Sequence, residues 1–186
     1  MANAIVNAIG TQAAQPASGT VTLATNSWVN YPDFHLTFTL DAAQIPVTDA
    51  ALSGSYGALK LFDFNQGAIA FTGVRQNYTA FAEGAALTGA AGDAVFDIGL
   101  GSVAIAAAAD GALATTDDNI GTEIAVTLSG GTGTGTGVNG NVVLDGTTTA
   151  LDLALNMSGS AATIDASSTL DVTGTITVTG TFLGDD

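Results

Sequence analysis

Apolar residues alternate with Thr, Ser and Asp along most of this chain. Phe34, Leu36, Phe38 and Leu40 fall on one face of an extended segment, and His35, Thr37 and Thr39 fall on the other. That period of two marks a half-buried strand. The same rhythm runs through residues 20–25, through Phe96, Ile98 and Leu100, through residues 123–128, and through Leu151, Leu153, Leu155 and Met157. It closes on Leu170, Val172, Ile176 and Val178, set opposite Thr169, Thr173, Thr175, Thr177 and Thr179. Residues 58–64 and 68–74 read as a hairpin across Asn65, Gln66 and Gly67. Asn139 and Gly140 form the dipeptide most typical of a two-residue hairpin turn.

The breaks in this rhythm carry the remaining expectations. In residues 41–55, Pro46 blocks a long helix, while Thr48 suits the cap of a short helical turn. The Ala-rich residues 103–120 are the best place for a short helix or an ordered loop. The Gly/Thr tract at 129–137 reads as a flexible loop or as a glycine-rich edge strand. Residues 1–18 read as an N-terminal arm, either frayed or ordered against a neighbouring subunit, with Ile5, Val6 and Ile9 as its contact candidates. Trp28 and Tyr31 lie in an aromatic loop; Trp28 serves there as a core anchor or, with Tyr31, as an interface anchor. The sum is eight to ten short strands, at most one or two short helices, and an all-β fold of the β-sandwich or jelly-roll-like kind. The β-rich domain spans 19–186, with a composition shift near 76–92 as a candidate subdomain junction.

Composition sharpens this picture. Gly occurs 24 times in 186 residues and Cys not at all. Thr and Val favour pleated surfaces, and Gly supplies turns. Lys plus Arg is 2 against 17 Asp plus Glu, a net charge of -15. Two cations cannot neutralise a run of phosphates, so nucleic acid is excluded as a partner. Hydrophobic residues are 47% of the chain and mean hydropathy is +0.42, which argues against disorder. No stretch of about 20 strongly apolar residues occurs, so no membrane partner is expected. The N-terminus has no basic stretch followed by an apolar core, so synthesis in a cytosol without Sec export is expected.

Candidate chemistry is sparse. His35 is the single histidine, on the polar face of its strand and without a Gly-x-Ser-x-Gly elbow. Gly99, Gly101 and Ala104 match the loose dinucleotide pattern G-x-G-x-x-A after a strand, but no repeated βαβ units follow. Asp93, Asp97, Asp110, Asp117 and Asp118 offer oxygens for a divalent ion without forming an EF-hand pattern; turn and surface roles explain them as well. Asn77 and Asn156 each begin a glycosylation sequon, which carries no information without a secretory route. No catalytic residue, cofactor or metal ligand is assigned, and an enzyme is not expected.

The stretch Val95-Phe-Asp-Ile-Gly-Leu-Gly-Ser102 through Leu113-Ala-Thr-Thr-Asp-Asp-Asn-Ile-Gly121, followed by Leu144-Asp-Gly-Thr-Thr-Thr-Ala-Leu-Asp152, Ile164-Asp-Ala166 and Val172-Thr-Gly-Thr-Ile-Thr177, resembles small virion proteins of tailed bacteriophages. The resemblance covers about the C-terminal half and is one of composition and rhythm. It implies a capsid decoration, or cement, protein on the outer face of the shell. Such a protein partners the major capsid protein, most often as a homotrimer, and braces the shell against DNA pressure. The alternatives are a tail or fibre component with an adhesin-like role, and a bacterial surface or filament subunit.

Overall fold

The alternating segments form strands, and three of them run far beyond ordinary length. The computed structural model describes residues 9–49, 54–65, 67–83, 95–106, 113, 116–127, 133–136, 142–159 and 168–184. In chain order the strands are β1 (Gly10–Gln12), β2 (Thr20–Leu23), β3 (Trp28–Asn30), β4 (Asp33–Asp49), β5 (Ser55–Phe64) and β6 (Ala68–Glu83). They continue as β7 (Val95–Gly101), β8 (Gly121–Thr127), β9 (Gly133–Thr136), β10 (Val142–Asp145), β11 (Asp152–Gly159) and β12 (Ser168–Gly184). β4 and β12 have 17 residues each and β6 has 16, about three times the usual strand. No helix occurs among the described residues. The helical turn expected at Thr48 is instead the end of β4, where Thr48 pairs with Tyr56.

The fold is all-β: one curled antiparallel sheet, a half-barrel of the sandwich or jelly-roll-like kind. The order along it is β10-β6-β12-β4-β5-β11-β7-β8, with β1 beside β5, β2 and β3 beside β4, and β9 beside β6. Strands from before and after the composition shift at 76–92 therefore interleave in one sheet, and residues 76–83 lie within β6. The hairpin expected across Asn65 to Gly67 does not form. β5 and β6 follow one another in sequence but are separated in the sheet by β12 and β4. Their apolar faces meet across the core instead, with Phe64 and Phe71 edge to face at 5.7 Å. The Asn139-Gly140 turn lies outside the described residues; β9 before it and β10 after it both run antiparallel to β6.

A flat sheet cannot enclose its own core. Curling is produced by resets of the strand period. On β4 the buried positions are Phe34, Leu36, Phe38 and Leu40, then Ala43, Ile45 and Val47. Strict alternation would send one of these sets to solvent. Asp41 and Ala42 together oppose Thr173, and the register against β12 shifts there. Ala42 takes a left-handed φ of 45° and donates its amide to Thr173 Oγ1 at 3.1 Å. β6 resets twice, from Phe71 to Val74 and from Tyr78 to Phe81, again with register shifts against β12. β5 resets at the adjacent Leu61 and Phe62, both fully buried, where its register against β11 shifts. Each extra residue bends its strand and increases the twist.

Glycine stands on β12 where its neighbours close in. A Cβ on Gly174 would lie 2.3 Å from the Asn77 carbonyl oxygen. One on Gly180 would lie 2.6 Å from both the Ala70 carbonyl oxygen and the Phe34 ring. Inside the curl, Phe34, Phe38, Phe62, Phe64 and Phe71 form one ring cluster, with centroid spacings of 4.8–6.2 Å. Such pairs contribute beyond the area they bury.

The curl nearly closes where β8 meets β6 and β9. Tyr78 Oη donates to Gln76 Oε1 at 2.7 Å, and Gln76 Nε2 donates to the Thr122 carbonyl at 2.9 Å. Burial pushes the Tyr78 phenol far above its ordinary value, so it remains a donor. Ile124 and Val126 press against Gly133 and Gly135, where added Cβ atoms would fall within 2.7–2.8 Å of those side chains. The edge-strand reading of the Gly/Thr tract therefore holds for residues 133–136; the rest of the tract lies outside the described residues.

Replacing Gly174 with Val is expected to cost about 3 kcal/mol, since the opposing atoms are backbone, or roughly 6–12 °C in Tm for a chain of this size. Thr175→Val, on the exposed face next door, should shift stability by less than about 0.5 kcal/mol. Thermal unfolding followed by circular dichroism checks both.

Candidate functional site

Outward-facing side chains on β12 are mostly hydroxyl-bearing, and Thr37 and Thr39 continue the row onto β4. The ladder sets Thr39 opposite Thr175, Thr37 opposite Thr177, His35 opposite Thr179 and Asp33 opposite Thr181. Thr37 Oγ1 and Thr177 Oγ1 lie 3.1 Å apart, and His35 Nε2 lies 3.1 Å from Thr37 Oγ1. Threonine serves both demands of this surface: its branched carbon suits the strand, and its hydroxyl meets water without adding charge.

Trp28 belongs to this face and not to the core. Val29 takes the inward position on β3, so Trp28 and Asn30 point outward. The indole is 47% exposed and stacks on His35, its cross-strand partner, with centroids 5.9 Å apart and planes 12° from parallel. Asp33 Oδ1 accepts from Thr181 Oγ1 at 2.7 Å. Between them lies a shallow cleft of about 290 Å³, whose far wall is Thr72 and Thr179 and whose floor includes Gly180 and Phe34. Tyr31 is 67% exposed, with its ring 6.3 Å from that of Phe182, and the Phe182 amide donates to the Pro32 carbonyl at 2.8 Å.

The expected N-terminal contacts fare differently. Ile5 and Val6 lie outside the described residues. Ile9 is corrected: it is 1% exposed and part of the core. Its carbonyl accepts from the Asn65 amide, and β1 extends the sheet beside β5. Residues 13–18 are also tied to the body. The Ala13 amide donates to Leu61, the Ser18 carbonyl accepts from Gln44, and the Gln15 side chain pairs with both backbone groups of Val21 at 2.8 and 2.9 Å. An apolar Ile just before the short strand beside β5 has a core position within reach, and burial in its own domain satisfies it.

A second feature escaped the sequence reading. All residues of β11 from Leu153 to Gly159 are buried, so both faces of this strand are covered. Leu153, Leu155 and Met157 face the main core. On the other face the Asn156 side chain holds Val103, Ile105 and Asp117. Its Oδ1 accepts from the Ile105 amide at 3.0 Å, and its Nδ2 donates to the Val103 and Asp117 carbonyls at 2.8 Å each. This asparagine, which opens a sequon, is 0% exposed and spent on structure. The Gly99 and Gly101 pair is explained by the same segment: a Cβ on Gly101 would lie 2.4 Å from the Thr116 carbonyl oxygen. The glycines admit a crossing loop, not a pyrophosphate. The only visible signal was an Asn amid small and apolar residues on both faces of one strand.

Asp97, Asp118 and Glu123 gather beside that loop. Desolvation, and then the charge of Glu123, raise the Asp97 and Asp118 carboxyls above their ordinary values. No group of three or more His, Asp or Glu is placed to hold a metal ion among the described residues. Asp93 and Asp110 lie outside them. Lys60 pairs with Asp63 at 3.1 Å and with Asp152 at 2.6 Å, all partly exposed, where ion pairs contribute little. Comparison of the chain with protein-family models, with curated proteins and with solved structures found no match in any of the three.

Asn156→Ala strands a buried amide at Ile105, a buried carbonyl at Asp117 and a partly buried one at Val103. It is expected to cost about 3 kcal/mol, with amide exchange at Ile105 accelerating more than exchange in β12. The raised carboxyls make acid stabilising. They hold a proton more readily in the folded than in the unfolded chain, so their stability is present below the ordinary carboxylate range and lost as pH rises through the raised values. Tm should therefore rise as pH falls from 7.5 toward the carboxylate range, and Glu123→Gln should weaken that rise. A higher Tm at pH 7.5 than at pH 5 would contradict it.

Proposed function

We propose that this chain is a non-enzymatic virion protein of a tailed bacteriophage that decorates and stabilises the outer surface of the capsid. In this reading it is bound to the major capsid protein as a homo-oligomer, with a trimer favoured. The observation that carries the reading is the build of the sheet: a single curl cross-braced by strands from both halves of the chain, with an outer face of hydroxyl rows and scarcely any ion pairs. Such a body is a bracing element whose integrity does not depend on screened salt bridges. Its net charge of -15 keeps it from the packaged DNA and suits the outside of the shell. Many copies on a symmetric lattice gain strength from modest single contacts. The resemblance of the C-terminal half to small virion proteins points the same way.

A tail or fibre component with an adhesin-like role is the second reading. The cleft beside the half-exposed Trp28 favours it, because an aromatic wall next to a carboxylate on an accessible face is a ligand-binding arrangement.

Particles assembled with and without this protein test the first reading. Hundreds of copies per particle are expected, and particles lacking it should release DNA at lower temperature and on milder osmotic shock. Equal resistance of the two particle types would overturn the bracing role. A few dozen copies or fewer would move the protein to the tail.

A further inference from the structure

We propose that the cleft between Trp28 and Thr72 binds one ring of a neutral carbohydrate. This inference does not rest on the decoration reading, since a tail component would use the cleft in the same way.

The cleft exists because the sheet is broken there. Thr72 is the extra residue of a β6 reset, lying between Phe71 opposite Gly180 and Gly73 opposite Thr179. Gly180 takes an inward position on β12, so backbone lies under the opening there, and Phe34 also lines it. The volume of about 290 Å³ is at the small end of ligand sites and suits a single sugar ring better than a peptide.

The walls match the two surfaces of a pyranose. One face of such a ring is a patch of C–H bonds, and the negative π-face of an indole attracts it. Trp28 stacks on His35, so its orientation is held before any ligand arrives and less freedom is lost on binding. The rim of a pyranose is a ring of hydroxyls. Asp33 spends one oxygen on Thr181 Oγ1, while a carboxylate has about four lone-pair sites and so retains capacity for sugar hydroxyls. Thr72 Oγ1 and Thr179 Oγ1, 3.4 Å apart on the far wall, can each donate or accept.

Charge selects among sugars. The cleft carries a carboxylate and no cation in its lining. Arg75, the cation on the same face, pairs across from Thr177, one row away. Phosphorylated or carboxylated sugars would meet Asp33 unfavourably, and neutral ones would not.

The test is direct because the chain has one Trp, so its fluorescence reports on this cleft. The full chain is titrated with glucose, galactose, mannose and N-acetylglucosamine, and separately with the neutral polymers dextran and mannan, which distinguishes free sugar from a surface polysaccharide as the source. At least one monosaccharide should change Trp28 emission saturably in the millimolar range. Saturation-transfer NMR on that sugar should vanish in Trp28→Ala and weaken about tenfold in Asp33→Asn, with both variants retaining the wild-type circular dichroism spectrum. No saturable response up to about 50 mM of any probe would overturn the proposal. So would undiminished transfer in Trp28→Ala, or tighter binding of glucose 6-phosphate than of glucose. A solution dimer lost in Trp28→Ala, without a sugar response, would reassign the indole to a protein contact.

Discussion

A single sheet must enclose its own core here, and the constraint that makes this work is parity. Side chains alternate along a strand, so a long strand that bends around a core must keep its apolar residues inward on both sides of the bend. β4 does so by adding a residue at Asp41 and Ala42, and β6 by adding Thr72 and Thr79. The additions on β4 and β6 flank the same point of β12. There Thr173 accepts the Ala42 amide on its side chain and the Thr79 hydroxyl on its carbonyl. Gly174 then lets the two neighbouring backbones approach. Without these resets, either the Phe34–Leu40 set or the Ala43–Val47 set would face water.

The same constraint explains what the sequence disclosed. The regular parts were legible: Phe96, Ile98 and Leu100, or Leu170 through Val178, lie on the faces their spacing demands. The resets were legible in principle. Leu40 to Ala43, Phe71 to Val74 and Tyr78 to Phe81 are three-residue steps inside otherwise two-residue patterns. Read locally, a step of three suggests a turn or a short helix; at Thr48 it was instead the capping hydroxyl that suggested a turn, while the strand continues. Pairing was not legible. Asn65 to Gly67 and Asn139-Gly140 are good turn residues, yet β5 and β6 part to opposite sides of the core. Strand order depends on where the curl closes, and no local residue encodes that.

Polar chemistry fills the places that apolar packing leaves open. With two cations in the chain, buried polar groups cannot be balanced by ion pairs. They are balanced by amides and hydroxyls: Gln76 at the closing seam, Asn156 under the crossing loop, and Gln15 at the start of β2. Each meets backbone groups that the sheet ladder leaves unpaired, so each is worth more than its own hydrogen bonds. Trp28 illustrates the converse. A large apolar residue is normally assigned to the core, but Val29 already fills the inward site on a strand of three residues, and alternation sends the indole out.

Structure and candidate chemistry therefore meet at the irregularities and not on the regular face. A ladder of Thr39, Thr175, Thr37 and Thr177 is uniform and offers no ligand a unique seat. At Thr72 and Gly180 the ladder slips by one residue, and a cleft lies there beside Trp28. Sheet defects commonly re-aim side chains at functional sites. Here one defect has two consequences: it turns β6 around the core on the inside, and on the outside it leaves a gap walled by an indole, a carboxylate and two hydroxyls. A substitution that straightened β6 would flatten the cleft as it opened the core, so the cleft and the fold are coupled through the same residue.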